Sequence, residues 1–197
     1  ATTNRQVTVQ DAAAPVIISP INITVAAVDA FGTPNSNSAI STFLTSASAY
    51  DDIDGIVNVT HDAPNMFPIG VTTVVFSATD SAGNIGNAQA TITIVDQGAP
   101  EINLTGNTSI TLTLGEVYIE SGFTALDNVD GDLTSAVVVT GAVDSNVIGI
   151  YTISYDVSDA QGNLAISQKR KVTVQDAQAP VIHAPNNIIV AAVDSQG

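Results

Sequence analysis

The chain has 197 residues and a formal net charge of −15, from 19 acidic and only 4 basic side chains. It contains no cysteine, which excludes disulfides and cysteine-based zinc or redox sites. The charge argues against nucleic acid or an anionic membrane as partner, and no apolar run reaches the roughly 18 residues of a membrane helix. We therefore expect cations, above all Ca²⁺, as ligands. The alternative interpretation is an acidic, salt-tolerant surface without bound ions.

One short pattern occurs three times and divides the chain. An alternating apolar run ends in Asp, two residues follow, and Ala-Pro then begins another apolar run, at Val9–Pro15, Ile94–Pro100 and Val174–Pro180. Proline cannot donate to a β-ladder and favours extended geometry in the residue before it. We therefore predict that Asp-x-x-Ala-Pro is the joint between consecutive β-modules.

A longer repeat places these joints in an array. Residues 5–32 align with residues 170–197 at an offset of 165, with 20 of 28 positions identical. Self-similarity at a fixed period is typical of tandem modules, so we expect this chain to be part of a longer one. The predicted divisions are the last strand of a preceding module and a joint at 1–12, module A at 13–97, module B at 98–177, and the first strands of a further module A at 178–197.

Short alternating runs predict the fold class of both modules. In module A, strands are predicted at Val16–Ile18, Ile21–Val28, Ala39–Tyr50, Ile56–Thr60, Val71–Thr79 and Ala88–Val95. In module B, they are predicted at Ile102–Leu104, Ser109–Leu114, Gly122–Leu126, Ala136–Gly141, Ile150–Ser158 and Ile166–Val174. About six short strands in some 80 residues are typical of a Greek-key immunoglobulin-like (Ig-like) β-sandwich. We therefore predict an all-β chain of tandem sandwiches with essentially no helix.

Both modules carry the motifs of known families. Module A resembles the hyalin repeat, an Ig-like family, at Ala14–Pro15, Asn22–Val25, Phe67–Val74 and Ala78–Asn84. Module B resembles a bacterial Ig-like family of surface proteins and secreted enzymes at Ala125–Thr134, Ile148–Thr152 and Val157–Asn163. The resemblance implies adhesion, spacing or stalk roles at a cell surface or outside the cell. Animal hyalin repeats carry a cysteine pair that is absent here, which favours a bacterial source.

Acidic residues gather after particular strands. Asp51–Gly55 and Asp80–Asn84 in module A correspond to Asp127–Asp132 and Asp159–Asn163 in module B. In an Ig topology these loops lie at the end of the module where the joint Asp enters. Close carboxylates repel by roughly 1 kcal/mol per pair in water, and Ca²⁺ accepts six to eight oxygen ligands from irregular loops. The predicted Ca²⁺ ligands are Asp11, Asp51, Asp52, Asp54 and Asp80 at one joint and Asp96, Asp127, Asp130, Asp132 and Asp159 at the next.

Two points about these sites stay open. Asp29 and Asp194 follow the first long strand of each module A, and they are candidates to assist from the neighbouring module. Asp-Gly, Gly-Asn and Asp-Asn are also ordinary turn sequences, in which Asp and Asn bond local backbone N–H groups. The alternative to Ca²⁺ binding is therefore turn formation alone.

No arrangement of residues favours catalysis. His61 and His183 have no second His or Cys nearby, and no G-x-S-x-G elbow occurs. We predict a non-enzymatic spacer of an extracellular array, in an adhesin, stalk or filament, with Ca²⁺-stiffened joints. Its expected partners are neighbouring modules of the same chain, further copies in a filament, or a surface glycan or protein. The alternative is a carbohydrate- or protein-binding accessory module of a secreted polysaccharide-degrading enzyme.

Overall fold

The structure is a computed structural model that describes residues 3–188, 190 and 191, and these residues build two β-sandwiches in series. The N-terminal sandwich contains β1 (Val16–Ile18), β2 (Ile23–Ala26), β3 (Thr33–Pro34), α1 (Ser38–Thr45), β4 (Ser48–Asp51), β5 (Gly55–Val57), β6 (Val59–His61), β7 (Met66–Phe67), β8 (Gly70–Thr79) and β9 (Ile85–Val95). The C-terminal sandwich contains β10 (Glu101–Leu104), β11 (Ser109–Thr113), β12 (Phe123–Asp127), β13 (Gly131–Asp132), a 3-10 turn (Thr134–Ala136), β14 (Val138–Thr140), β15 (Gly149–Asp156) and β16 (Gln168–Gln175).

Each sandwich combines a three-stranded sheet with a four-stranded sheet. The strand orders are β1-β4-β5 and β2-β9-β8-β6 in the N-terminal sandwich, and β10-β12-β13 and β11-β16-β15-β14 in the C-terminal one. In both, the second strand crosses to the other sheet and pairs in parallel with the last strand, β2 with β9 and β11 with β16. The other strand pairs are antiparallel, and β3 and β7 form a small separate pair. The predicted all-β, Ig-like fold class is confirmed.

Alternating residues of the longest strands build the two apolar cores. In the N-terminal sandwich, Val74 and Phe76 of β8 lie beside Ile92 and Ile94 of β9, and all four side chains are fully buried. The C-terminal core is built in the same way from β15 and β16. Since the strand period is two, the same face of each strand points inwards along its whole length.

The prediction of a strand at Ala39–Tyr50 is wrong in its first half. Residues 38–45 form α1, and only residues 48–51 form a strand, β4. Asn37 caps the helix by accepting a hydrogen bond from the amide two residues later, at 3.0 Å. Ile40, Phe43 and Leu44 are buried, at the i, i+3, i+4 spacing of one helix face. The cap and this apolar face together outweigh the β propensity of the segment.

The terminal segments form no β-ladder within the described ranges. Residues 3–15 and the described residues from 176 onwards contain no strand. A strand requires a hydrogen-bonded neighbour, and the predicted neighbours of these segments belong to other modules. The division of the chain at 1–12, 13–97, 98–177 and 178–197 stays a prediction. Asp194, named above as a candidate ligand, lies outside the described residues.

A buried arginine lies in the core of the C-terminal sandwich. Arg170 is on the inward face of β16, in line with Val172 and Val174, and it has no exposed surface. Its guanidinium lies 3.1 Å from the carboxylate of Glu120, in the segment between β11 and β12. The ion pair therefore fastens this connecting segment to the sheet.

Further hydrogen bonds complete the environment of both charges. Arg170 donates to the carbonyl oxygens of Asn107 at 2.6 Å and Thr105 at 2.9 Å. The Glu120 carboxylate accepts hydrogen bonds from the hydroxyls of Tyr118 and Tyr155. Burial acts to raise the pKa of Glu120, but the two tyrosine hydroxyls, the Gly122 amide and the charge of Arg170 together outweigh it and hold the pKa below its ordinary value. The carboxylate is therefore charged at neutral pH and neutralises the arginine.

Replacing Glu120 by Gln is expected to lower the free energy of unfolding of the C-terminal sandwich by roughly 2 kcal/mol. The substitution leaves a buried guanidinium without its counter-charge. The loss is smaller than for a fully buried pair because the Glu120 side chain is 32% exposed. Urea unfolding measures the change. Glu101→Gln, on an exposed position of β10, is the matched control, and equal losses from the two variants would refute this role of Glu120.

Candidate metal centres

Two tight turns with the same sequence pattern carry the central carboxylates. Each has the form Asp-x-x-Asp-Gly, from Asp51 to Gly55 between β4 and β5, and from Asp127 to Gly131 between β12 and β13. Both glycines have a φ of 76°, in the left-handed region that disfavours residues with a Cβ atom. In each turn the first Asp pairs with the glycine across the hairpin. The two sandwiches therefore build one turn geometry twice.

The first Asp of each turn accepts backbone hydrogen bonds through a single oxygen. Asp51 Oδ1 accepts from the amides two and three residues later, at 2.8 and 3.1 Å. Asp127 Oδ1 accepts the equivalent bonds at 2.7 and 2.9 Å. The second oxygen of each carboxylate, Oδ2, accepts none of these turn hydrogen bonds.

The joint residues Asp11 and Asp96 bring a third carboxylate to each turn. The first cluster consists of Asp11, Asp51 and Asp54, and the second cluster of Asp96, Asp127 and Asp130. Within each cluster, one carboxylate oxygen from each residue lies within 4.8 Å of the others. Because β9 ends at Val95 and β10 begins at Glu101, Asp96 lies in the link between the sandwiches. The second cluster is therefore at their joint.

Four buried carboxylate oxygens in these clusters have no hydrogen-bond partner among the described residues. They are the Oδ2 atoms of Asp11 and Asp51 in the first cluster and of Asp96 and Asp127 in the second. Asp51, Asp96 and Asp127 are only 2%, 6% and 9% exposed. A buried polar atom without a partner costs about 1–3 kcal/mol, and more when it is charged. Each cluster thus contains two buried carboxylate oxygens without a hydrogen-bond partner.

The second cluster also perturbs the titration of its joint residue. Burial raises the pKa of Asp96 above its ordinary value of 3.8. The hydrogen bond from the Gly98 amide acts in the opposite direction, and the charges of Asp127, Asp159 and Asp130 raise the pKa further. Mutual repulsion is therefore a property of this cluster when no cation is bound.

Asp80 and Asp159 have a different role from the clustered residues. The Asp80 carboxylate accepts hydrogen bonds from both the amide and the side chain of Asn84, at 2.7 and 2.8 Å. Asp159 accepts the same pair from Asn163, at 2.7 and 2.6 Å. Burial acts to raise the pKa of both residues, but these hydrogen bonds outweigh it and hold the pKa below the ordinary value. Both oxygens of each carboxylate already accept hydrogen bonds, so Asp80 and Asp159 stabilise the loops in which they lie.

The structure thus brings together six of the ten predicted ligands, Asp11, Asp51, Asp54, Asp96, Asp127 and Asp130. Asp52 and Asp132 are exposed and lie outside both clusters, as does Asp29. Asp132 accepts a hydrogen bond from the Thr134 amide at 2.9 Å, and Asp29 accepts one from the Phe31 amide at 2.8 Å. These residues make turns. Metal binding at the two clusters stays a prediction.

The turn of the second cluster also contacts the N-terminal sandwich. The side-chain amide of Asn128 donates to the carbonyl oxygens of Val28 at 3.2 Å and Ala27 at 3.4 Å, just beyond β2. Val129 packs against the core of the N-terminal sandwich. Gly98 leaves room for this arrangement, because a Cβ atom there would lie 2.2 Å from Asn128 Oδ1. One turn therefore carries two of the three cluster carboxylates, Asp127 and Asp130, and the contact between the sandwiches.

Sequence reasoning missed the residues that support the clusters. Asn84 and Asn163 hold the neighbouring loops, and Asn128 contacts the other sandwich. The repeated spacing Asp-x-x-Gly-Asn at Asp80 and Asp159 was a signal for the first two. Asn128 stands where the first turn has Asp52, and that difference between the two copies was the signal for the third.

Comparison with known proteins agrees with this architecture. Residues 102–174 match the family model described as bacterial surface protein, Ig-like domain. The C-terminal sandwich is similar to bacterial surface Ig-like domains. The chain is also 31% identical to hyalin of Strongylocentrotus purpuratus over 160 residues, which cover 77% of this chain and 13% of hyalin. Both predicted resemblances are confirmed.

Two further proteins are similar to parts of this Ig-like chain. An uncharacterised protein of Acholeplasma phage L2 is 32% identical over 108 residues, which cover 50% of this chain and 14% of that protein. The crystal structure of a lipoprotein from Bacteroides thetaiotaomicron is 31% identical, with a TM-score of 0.38, and the match covers 41% of this chain and 40% of that one. The chain thus spans about one seventh of the curated relatives that it matches. None of the helical segments in its described part is long and apolar enough to cross a membrane.

In metal-free protein at neutral pH, Asp96→Asn is expected to stabilise the folded state by about 1 kcal/mol. It removes one charge from the second cluster and supplies an N–H donor where an oxygen lacks a partner. Because the folded-state pKa of Asp96 is raised, wild-type stability falls as the pH rises from 3.8 through the raised value. The gain of the variant grows over the same interval and is constant above it. Thermal unfolding in EDTA at a series of pH values measures it.

Asp159→Asn is the matched control for this experiment and is expected to lower the melting temperature. Both oxygens of Asp159 accept hydrogen bonds from Asn163, so an amide there sets a donor against a donor. Because the folded-state pKa of Asp159 is lowered, its contribution is complete above the ordinary value of 3.8 and is lost as the pH falls. A change of the same sign from both substitutions would contradict the distinction between cluster and loop residues.

Asn128→Ala is expected to loosen the contact between the sandwiches without unfolding either one. The variant loses the two hydrogen bonds to the end of β2. Residual dipolar couplings of the wild-type chain should then fit one alignment tensor, whereas those of the variant should need a separate tensor for each sandwich. Asp52→Ala, at the equivalent position of the first turn, serves as control. A single tensor for all three proteins would show that Asn128 does not fix the joint.

Proposed function

We propose that this chain is an extracellular spacer segment of a bacterial surface protein, in an adhesin, stalk or filament, with Ca²⁺-stiffened joints between its Ig-like sandwiches. The observation that carries the proposal is the set of four buried, unpartnered carboxylate oxygens, two in each joint cluster. A cation is the partner that such oxygens lack. Neighbouring modules of the same chain are the principal partners in this proposal.

The donor set of both clusters favours a hard divalent cation. Every side chain in the two clusters is a carboxylate. Calcium takes oxygen ligands at 2.3–2.6 Å, so two oxygens on one ion lie at most about 5 Å apart, which the spacing within 4.8 Å satisfies. Zinc prefers nitrogen and sulfur ligands, and magnesium requires a tighter octahedral shell. Calcium would supply charge neutralisation, with water completing its coordination.

The clusters connect parts of the chain that are distant in sequence. In the second cluster, Asp96 comes from the link between the sandwiches, and Asp127 and Asp130 come from the turn that contacts the N-terminal sandwich. A cation shared by these carboxylates would tie the link to the turn and oppose bending at the joint. The first cluster would act in the same way on the segment that precedes β1, through Asp11.

The comparisons support a surface role rather than catalysis. Similarity to a bacterial surface Ig-like family and to hyalin favours an extracellular module. The absence of cysteine from the sequence favours the bacterial version of the hyalin-like module. Among the described residues, the chemically reactive or ligating side chains that lie close together are the carboxylates of the two clusters. Their spacing suits an ion better than an organic substrate.

The accessory-module alternative has weaker support. An open groove of about 500 Å³ runs beside β10, between residues 99–104 and the start of β16. Its lining is aliphatic and polar, and it contains no aromatic side chain on which a sugar ring could stack. A sugar-binding role would require another surface.

Calcium is expected to raise the melting temperature of the sandwich that carries each site by roughly 10–20 °C at a concentration 100-fold above the dissociation constant, since binding then contributes about 2.7 kcal/mol. It is also expected to narrow the distribution of shapes measured by small-angle X-ray scattering, because the joint bends less. Titration with calcium after EDTA treatment provides both measurements.

The double variant Asp51→Asn/Asp127→Asn is expected to lose both responses, because it removes an unpartnered oxygen from each cluster. Asp144→Asn is the control, since Asp144 makes an exposed turn outside the clusters and the response should be kept. Identical melting and scattering of the wild-type chain with calcium and with chelator would reject calcium as its ligand.

A further inference from the structure

We propose that the two clusters bind Ca²⁺ with unequal affinity, that the second cluster fills first, and that the residue at positions 81 and 160 sets the difference. This inference rests on the proposed function. It concerns the order in which the joints are loaded, and it follows chiefly from one side-chain difference between two sites that share most of their hydrogen bonds.

The two clusters share most of their hydrogen bonds. Asp11 Oδ1 and Asp96 Oδ1 each accept a bond at 3.0 Å from the amide two residues later. The first Asp of each turn accepts two amides, as described above. The third carboxylate, Asp54 or Asp130, accepts through Oδ2 a backbone amide from the loop after β8 or β15, at 2.7 Å in both. The backbone amides therefore make the same hydrogen bonds to the carboxylates of both clusters.

The difference lies in the side chain at the loop position that supplies this amide. In the first cluster the residue is Ser81, whose hydroxyl lies 2.8 Å from the other oxygen of Asp54. Both oxygens of Asp54 are therefore engaged by one residue. In the second cluster the equivalent residue is Ala160, which has no hydroxyl, so Asp130 Oδ1 receives no such bond. The second cluster thus keeps one more oxygen free for an ion.

Burial acts in the same direction. Asp96 is 6% exposed, whereas Asp11 is only half-buried. Charges in a less hydrated site interact more strongly. The free oxygen of Asp130 and the lower exposure of the joint residue Asp96 both favour the second cluster.

As the calcium concentration rises, the joint between the two sandwiches is therefore loaded before the segment preceding β1. Ser81 acts as a competitor of the ion for Asp54. A hydroxyl at this loop position gives a weaker site and an alanine gives a stronger one. The residue at this position then indicates which joints of such a chain are filled at low calcium.

The test is a calcium chloride titration of the full chain. Calorimetry measures the dissociation constants, and the chemical shifts of backbone amides in NMR spectra show which cluster is filled at each calcium concentration. Two dissociation constants about tenfold apart are expected. The free energy of one hydrogen bond to a charged group is large enough to change a dissociation constant by about this factor. The amides of Val129 and Asp130 should shift at lower calcium than those of Ile53 and Asp54, because each pair donates to a cluster carboxylate.

Two reciprocal substitutions at exposed positions assign the cause. Ser81→Ala should tighten the first cluster about tenfold, and Ala160→Ser should weaken the second by a similar factor. Ser145→Ala, in a turn outside both clusters, should change neither constant.

The outcomes separate this inference from the function on which it rests. If neither cluster binds calcium, both the proposed function and this inference are overturned. Binding at both clusters with equal constants, or with the first cluster filling first, would overturn only the inequality. Unequal constants that neither reciprocal substitution moves would overturn the role of positions 81 and 160.

Discussion

Mutual repulsion among buried carboxylates is the constraint on which the joints of this protein depend. Among the described residues, four buried carboxylate oxygens lack partners, at about 1–3 kcal/mol each or more, whereas a folded domain is stable by only about 5–15 kcal/mol. Two small sandwiches without disulfides do not tolerate such a cost easily. A bound cation, as proposed above, would offset this cost by giving the unpartnered oxygens a partner.

The second cluster shows how local turn chemistry becomes a property of the whole chain. The turn that begins at Asp127 directs two carboxylates to the cluster, whereas Asn128 and Val129 contact the neighbouring sandwich. Because these groups belong to one short segment, ordering the carboxylates also orders the contact. If the cluster binds an ion as proposed, linkage requires that whatever favours the docked arrangement also favours ion binding. The orientation of the sandwiches and the occupancy of the cluster would then be coupled.

Much of the fold could be predicted from the sequence because it depends on local patterns. Alternating apolar residues located most strands, and Asp-x-x-Ala-Pro located the link that contains Asp96. The first half of the Ala39–Tyr50 prediction failed, because the cap at Asn37 and the apolar face of α1 outweighed β propensity. Arg170 was not foreseen as a buried residue, although it has the same phase as Val172 and Val174, because its burial depends on a distant Glu120.

The candidate site was predictable to a similar extent. The Ig topology predicts that loop and joint carboxylates lie close together, and the structure places six of the ten predicted residues in the two clusters. The separation of Asp80 and Asp159 from them depends on hydrogen bonds from Asn84 and Asn163, which charge counting does not reveal. Exposed residues such as Asp52 were included because a single sequence does not show which way a turn residue points.

Calcium binding at the two clusters can be observed in a crystal structure of the chain grown with calcium, together with anomalous diffraction from terbium-substituted crystals. One peak is expected in each cluster, about 2.3–2.6 Å from Oδ2 of Asp51 in the first and of Asp127 in the second. Crystals with no peak at either cluster, or with ions only beside exposed residues such as Asp52 and Asp132, would contradict this expectation.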